Sequence, residues 1–444
     1  MFAAALIVVS ALHLGGFWLR SAEVVGVGSL ALVLLVVGMR RVDLTTTVIL
    51  AALGALATWW FLRAVAIGQP LSVFPFGAAV VGFGAAFAAV RPLHPQYKDV
   101  AATVLASIGA LEALVGFYGV TMRSYPLAIP DQNLWRLAST LTYSNAAGLI
   151  LAMSLLVALG LNERWWYSRG LVCICAAGLL ATQSRAAVLG ALLGLLFVPI
   201  ARYRLLWLPL TLGAIAGAVA VATALSTKPV PMVAAVGALC LFVSVVVKPV
   251  PIVLGSRRRV GLTLLAALVV VGIALAALHS ELSRRLISSA SLFDRNPEWS
   301  SAYHQFLGSP GLGVGPDRVI PLVGGNGTFA HFAHNEYLQI ADDAGLVGLA
   351  LLVIAILMIA RTVRRTDLGT SCALGALIAF AFCGAFDFDW HVPMIGLMAG
   401  WVAGLASSAP LRRPRVPKKD SAGASLRPDR PEGAEPRPTA KAAV

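Results

Sequence analysis

The sequence predicts an all-α, polytopic integral membrane protein: a helical bundle of about 12–14 transmembrane helices with one moderate external loop. Three observations predict it. Of the 444 residues, 59% are hydrophobic and 12% charged, with a mean hydropathy of +0.84; soluble domains carry about 25% charged residues. Apolar runs of about 17–25 residues, the length that crosses a bilayer core, recur along nearly the whole chain, and an apolar soluble core cannot supply about a dozen of them. Lys and Arg sort to one side when every run is counted as a crossing, as the positive-inside rule requires.

Taken in order, the first run, from Phe2 to Leu19, has almost no positive n-region and no clear small-residue cleavage site, so it is read as a retained span. Spans follow at 22–39, 44–62, 72–90, 100–121 and 145–161. Residues 170–201 are too long for one span and are broken by "TQSR" (182–185), which predicts two short crossings, 170–183 and 186–201. Further spans are 205–225, 232–247, 260–279, 337–360, 370–386 and 391–409. With the N-terminus in the cytoplasm, 15 of the 34 Lys and Arg fall in cytoplasmic loops, nine in the C-terminal tail and ten outside. Merging the two short crossings would move "RYR" (202–204) and "SRRR" (256–259) outside, so two crossings fit better.

This divides the chain into N-terminal transmembrane helices (1–121), a membrane core (122–410) that includes the external loop 280–336, and a basic cytoplasmic tail (411–444). The tail is rich in Pro, Ala and charge, and is expected to be disordered, with "RRPRVPKK" against anionic lipid heads. Both termini are placed in the cytoplasm and the two larger loops outside. The net charge of +14 reflects span-flanking Lys and Arg; no finger spacing or RNA-binding pattern supports nucleic acid as a partner. The five cysteines, Cys173, Cys175, Cys240, Cys372 and Cys383, all lie in apolar runs and read as small buried hydrophobes. No repeat of about 20–50 residues is evident.

Three polar features fall on the external side. In "LLATQSRAAVLG" (179–190), Arg185 sits between two apolar halves, where a cation is costly, and Ser184 precedes it at a helix start whose free N–H groups can add to an anion site. The alternative is that Arg185 snorkels at the interface. In "SLFDRNPEWSSAYHQFLGSPGLGVGPDRV" (291–319), Arg295 lies four residues before Trp299, and Gly-rich turns precede Arg318. Arg295 can equally pair with Asp294 or Glu298. "GLGVG" has no strand–helix unit around it and is no dinucleotide fingerprint. In "HFAHNEYLQ" (331–339), His334 and Asn335 stand where loop becomes helix. Histidine suits general-base work near neutral pH, and Asn335 can cap the span that follows. His331, His334 and Glu336 make a metal site conceivable; the other reading is histidines hydrogen-bonded within a loop.

"AHNEYLQIADDAGLVGLALL" resembles the His-Asn motif of the O-antigen ligase and polysaccharide polymerase superfamily, with His334, Asn335, Leu338, Gln339, Asp342 or Asp343, Gly345 and Gly348. "TQSRAA" resembles that superfamily's Thr-x-Ser-Arg element through Thr182, Ser184 and Arg185. "DRNPEWSSAYHQFLGSPGLGVGP" resembles its Arg-x-x-x-Trp element and the turn after it, through Arg295, Trp299, Pro310, Gly313 and Gly315. "TYSNAAGLI" (142–150) is similar to its Asn-rich helix start. The resemblance covers about residues 135–400, in order. It implies a polyprenyl (undecaprenyl) diphosphate-linked glycan donor, a hydroxyl acceptor on a glycan, lipid or protein, and a surrounding of membrane lipids. His334 is then the general base; Arg295 and Arg185 grip the diphosphate through their planar forks of donors. Asn335, Trp299, Gln339, Ser184, Arg318 and His331 are the candidate substrate-binding residues. No cofactor and no metal is required. Two other classes compete. A polyprenyl-phosphate-sugar glycosyltransferase would need an acid on the first external loop, where Glu23 is the sole candidate, or would use "DFD" (387–389) as a metal motif. A flippase or transporter of lipid-linked sugars would place charge at the membrane midplane.

Overall fold

The computed structural model describes residues 1–16, 18–39, 42–131, 133–161, 166–247, 290–321 and 329–407. The expected span 260–279, the basic residues 256–259 and the tail 411–444 lie outside the described residues, as do 280–289 and 322–328 of the external loop.

The described chain is helical in almost every place where an apolar run was expected. Helices α1 (Phe2–Leu12), α2 (Leu19–Met39), α3 (Leu44–Ala66), α4 (Phe74–Val90) and α5 (Pro95–Met122) are followed by a hairpin of β1 (Ala128–Asp131) and β2 (Leu134–Leu137). Then come α6 (Ser144–Gly160), α7 (Trp166–Ala181), α8 (Arg185–Leu195), α9 (Ile200–Ala222) and α10 (Pro231–Val246). After the undescribed stretch come α11 (Ala290–Gly308), the short pair β3 (Ile320–Pro321) and β4 (Phe329–Ala330), α12 (Glu336–Thr362), α13 (Leu368–Gly384) and α14 (Pro393–Ala406). Among the described residues, five helical stretches are long and apolar enough to cross a membrane: α2, α3, Pro70–Val90, α5 and α12. Others are apolar but short. The 11 residues of α8 extend about 16 Å at ~1.5 Å per residue, roughly half of a ~30 Å hydrocarbon core.

Helices α6 and α14 form the centre. All 14 residues of α14 are buried, and so is nearly all of α6. Such all-round burial explains why neither shows an amphipathic stripe. In α14, Gly396, Gly400 and Gly404 recur every four residues and face α4. A methyl group on Gly396 would stand 2.3 Å from the Ala79 carbonyl oxygen, and one on Gly400 would stand 2.1 Å from that of Phe83. Small residues at this spacing allow backbones to meet where lipid provides no hydrophobic drive. All five cysteines are free and buried.

Polar contacts gather at the two ends of the bundle. At one end Asp43 caps α3, accepting from Thr46 N at 2.8 Å, and pairs with Arg91 at the end of α4. Lys98 donates to the carbonyls of Gly404 and Ser407, and the hydroxyls of Thr362 and Ser407 meet at 2.7 Å. At the other end Arg123 donates to the carbonyls of Thr223 and Ser226, and the β1–β2 hairpin is tied to α9 through Trp135 N and the Ala224 carbonyl, 2.9 Å.

Three features depart from the sequence reading. The expected first span, 2–19, is helical only to Leu12, where a turn through Leu14–Gly16 with positive φ ends it. The external loop contains helix α11, with Pro297 inside it. The expected span 337–360 is broken at Gly345, which sits at φ 65°, ψ −165°. Its free backbone groups find partners in the Gly-rich turn: Val314 N donates to Asp342 O at 2.7 Å, Gly315 N to Asp343 O at 3.0 Å, and Leu346 N to Pro310 O at 2.8 Å. Helix α3 braces the break through Trp59 Nε1 on Ala344 O and Arg63 Nη2 on Gly313 O, both 2.8 Å. The "GLGVG" stretch therefore supplies backbone hydrogen bonds to an interrupted helix, which must be satisfied at membrane depth. A methyl group at Gly345 would lie 2.5 Å from both Gly311 O and Gly313 N. Gly345→Ala is expected to destabilise the protein by ~1–3 kcal/mol from backbone strain alone, read as a lower thermal midpoint in detergent.

Candidate active site

The site is built on the turn 387–391 between α13 and α14, which collects residues from four other regions. Asp387 is 1% exposed at its side chain. Its oxygens accept from the Tyr143 hydroxyl at 2.7 and 2.8 Å, from the Asn145 amide, and from Phe388 N at 2.9 Å. Arg295 of α11 completes the shell, with Nη2 at 3.5 Å from Asp387 Oδ2 and Nη1 donating to the Phe386 carbonyl. A buried carboxylate with this many donors is fully matched, and it orients each of them.

From Asp387 the network runs on to α7 and α8. Arg136 on β2 donates to Asn145 Oδ1 at 2.8 Å, to Asp131 Oδ2 at 2.6 Å and to the Thr182 carbonyl at 3.0 Å. Gln183 sits at φ +56° and donates to the Trp135 carbonyl at 3.1 Å. Ser184 caps α8, accepting from Ala187 N at 3.4 Å. Arg185 opens that helix with an exposed side chain.

On the other side lies His334. Its Nδ1 stands 2.8 Å from Glu298 Oε2, and the side chains are 26% and 18% exposed. Its backbone is left-handed, φ +49°, an uncommon state for a side chain of this size and one that concentrates at functional sites. The ring meets Phe388 edge-on at 5.2 Å, and Phe388 stacks on Tyr143 at 5.0 Å and on Phe332 at 4.4 Å. Asn335 caps α12, accepting from Leu338 N at 3.1 Å. Gln339 accepts from Ala333 N at 2.7 Å and donates to Asp343 at 2.8 Å, so it pins the loop that carries His334.

The remaining candidates stand as follows. Trp299 is half-buried, 6.4 Å from the Phe386 ring; its indole N–H is buried without a hydrogen-bond partner among the described residues. Arg318 is exposed just before β3, and His331 is exposed with its ring edge on Phe329. The three groups read as a conceivable metal cluster diverge. His334 turns to Glu298, while Glu336 accepts from Trp390 N and faces His391 Nδ1 at 3.1 Å. Glu298 is the partner of His334 and Arg295 that of Asp387, so the local Arg295–Glu298 pair considered from sequence does not form.

Sequence reasoning did not single out Arg136 or Tyr143 as site residues: each is a polar residue beside apolar runs, and the main signal was its position on the external side. Asp387 was met only within "DFD", as part of a competing metal motif. Asp389, two residues on, is buried. Burial pushes its carboxyl well above the usual carboxylate range, Asp387 and Glu336 add to the shift, and Arg295 opposes it. With burial disfavouring its charged form, Asp389 is expected to tolerate Asn: Asp389→Asn should retain most transfer activity, checked by product formation per inserted protein. A marked loss would show that its charge is used.

These features define an all-α, multi-pass membrane protein with a polar site gathered at one end of its bundle. The model of the family described as O-Antigen ligase matches residues 218–353, a segment that contains Arg295, Trp299, His334 and Asn335, and the match supports membership of the O-antigen ligase superfamily. The family indicates an O-antigen ligase- or polymerase-type function. No curated protein matches the chain.

Proposed function

We propose that the protein transfers an oligo- or polysaccharide from a polyprenyl diphosphate donor to an acceptor hydroxyl on the outer face of a bacterial cytoplasmic membrane, without a metal. The acceptor oxygen forms the new bond to the anomeric carbon as the bond from that carbon to the diphosphate breaks. The acceptor's proton goes to His334, and polyprenyl diphosphate leaves. Arg295 carries five N–H donors; among the described residues two are engaged, on Phe386 O and Asp387, and we assign the rest to phosphate oxygens. Arg185 supplies the second cation. Fixed cations beside a leaving diphosphate stabilise charge as it develops.

The observation that carries this reading is the convergence on one turn of the three polar features. Asp387 takes Arg295 directly, takes the 182–185 break through Asn145 and Arg136, and lies one residue from Phe388, which packs on His334. The same observation weakens the metal reading of "DFD", because Asp387 is already occupied by Arg295, Tyr143 and Asn145. The test is reconstitution with a lipid-diphosphate glycan and a panel of glycan, lipid and peptide acceptors, in chelator. A glycosidic product and released polyprenyl diphosphate are expected. Movement of the lipid-linked sugar across the bilayer without a new bond would favour a flippase, and a strict metal requirement would refute the metal-free mechanism.

A further inference from the structure

We propose that Glu298 is the positioning residue of His334: it fixes the tautomer and orientation of the ring, an inference that rests on the glycan-transfer reading above. Glu298 Oε2 lies 2.8 Å from His334 Nδ1. An ionised carboxylate only accepts hydrogen bonds, so the hydrogen of this contact resides on Nδ1 and the neutral ring keeps its lone pair on Nε2. Among the described residues nothing hydrogen-bonds Nε2. The proton-accepting nitrogen is thereby the one turned away from Glu298.

Three further constraints act on the same side chain. The backbone of His334 is held left-handed at φ +49°. The residue after it is locked as the cap of α12. Its ring rests edge-on against Phe388. Glu298 and Arg295 are three residues apart on α11, so they share one face of that helix. One turn of α11 therefore delivers Arg295 to Asp387 and Glu298 to His334, and the offset between the base and the cation is set by a rigid helical repeat.

Glu298 also acts as the reaction proceeds. When Nε2 takes the acceptor's proton the ring becomes a cation, and the carboxylate against Nδ1 meets a charge that was absent in the ground state. An interaction made only then raises kcat and leaves substrate binding alone.

The test uses the full-length protein reconstituted with a lipid-diphosphate glycan and a working acceptor. Glu298→Gln is expected to lower kcat by about 10²-fold, within the ordinary contribution of a positioned general base, with the donor KM essentially unchanged. Glu298→Asp is expected to recover part of the loss. In ¹⁵N-histidine spectra the His334 signal, assigned by its disappearance in His334→Asn, is expected to show a protonated Nδ1 and a bare Nε2, a preference that Glu298→Gln removes. Wild-type kcat in Glu298→Gln, or an Nε2–H tautomer in the wild type, would overturn the proposal. If Glu298→Gln does not insert, the wild-type spectrum and Glu298→Asp still decide. Full activity of His334→Ala would instead refute the base assignment itself, so the two failures are distinguishable.

Discussion

His334→Ala is expected to abolish glycan transfer while the protein still inserts and folds. A general base contributes about 10²–10⁴-fold, and among the described residues no other histidine is paired with Glu298 to replace it: His331 is exposed, and His391 is committed to Glu336. The structural penalty is modest. The ring is 26% exposed and makes one hydrogen bond among the described residues, and the native histidine already bears the left-handed backbone, φ +49°, that alanine would inherit. His334→Asn controls for the backbone, because asparagine accepts the left-handed region readily yet cannot act as the base. Both variants are expected to reach the membrane at normal levels and to form no detectable product from a lipid-diphosphate glycan. Undiminished transfer by either would end the assignment of His334 as the base.

Asp387→Ala is expected to have the second largest effect, on both stability and activity. It strips the acceptor from the Tyr143 hydroxyl, the Asn145 amide, Phe388 N and Arg295 together. Each buried donor left unmet costs about 1–3 kcal/mol, more for the charged one. These costs are not additive, because the groups relax together, but a loss of several kcal/mol is expected. Asp387→Asn separates the two effects. It keeps an acceptor oxygen for Tyr143 and removes the countercharge that orients Arg295. The expected result is a smaller fall in thermal midpoint than in Asp387→Ala, because Asn145 and Arg295 still lose their shared oxygen, with a raised donor KM. Arg295→Ala should raise donor KM similarly, and Arg295→Lys should recover only part of it, because lysine lacks the fork that meets a carboxylate and a phosphate at once. A donor KM unchanged in both Asp387→Asn and Arg295→Ala would remove Arg295 from the donor site.

The sequence by itself determined the helical membrane architecture and most helix limits, because bilayer crossing imposes a length and a polarity that are read one residue at a time. The break at 182–185 followed from the same arithmetic, and Asn335 as a cap followed from local geometry at a helix start. Arg295 and His334 were legible as chemistry because a cation and an imidazole beside apolar spans are costly and therefore conspicuous. What occupies Arg295 was not legible. Its partner, Asp387, is 92 residues away, and Tyr143 and Asn145, which hold that carboxylate, lie more than 240 residues from it. The pairing of His334 with Glu298, 36 residues apart, and the sealing of the Gly345 break by the turn 310–315 were equally hidden. Hydrogen-bond partners of this kind are selected by which helix ends the packing brings together, and hydropathy carries no information on that. Only the tertiary structure decided it, through close helix contacts such as the glycine face of α14 on α4, which fix where each end of the bundle presents its polar groups.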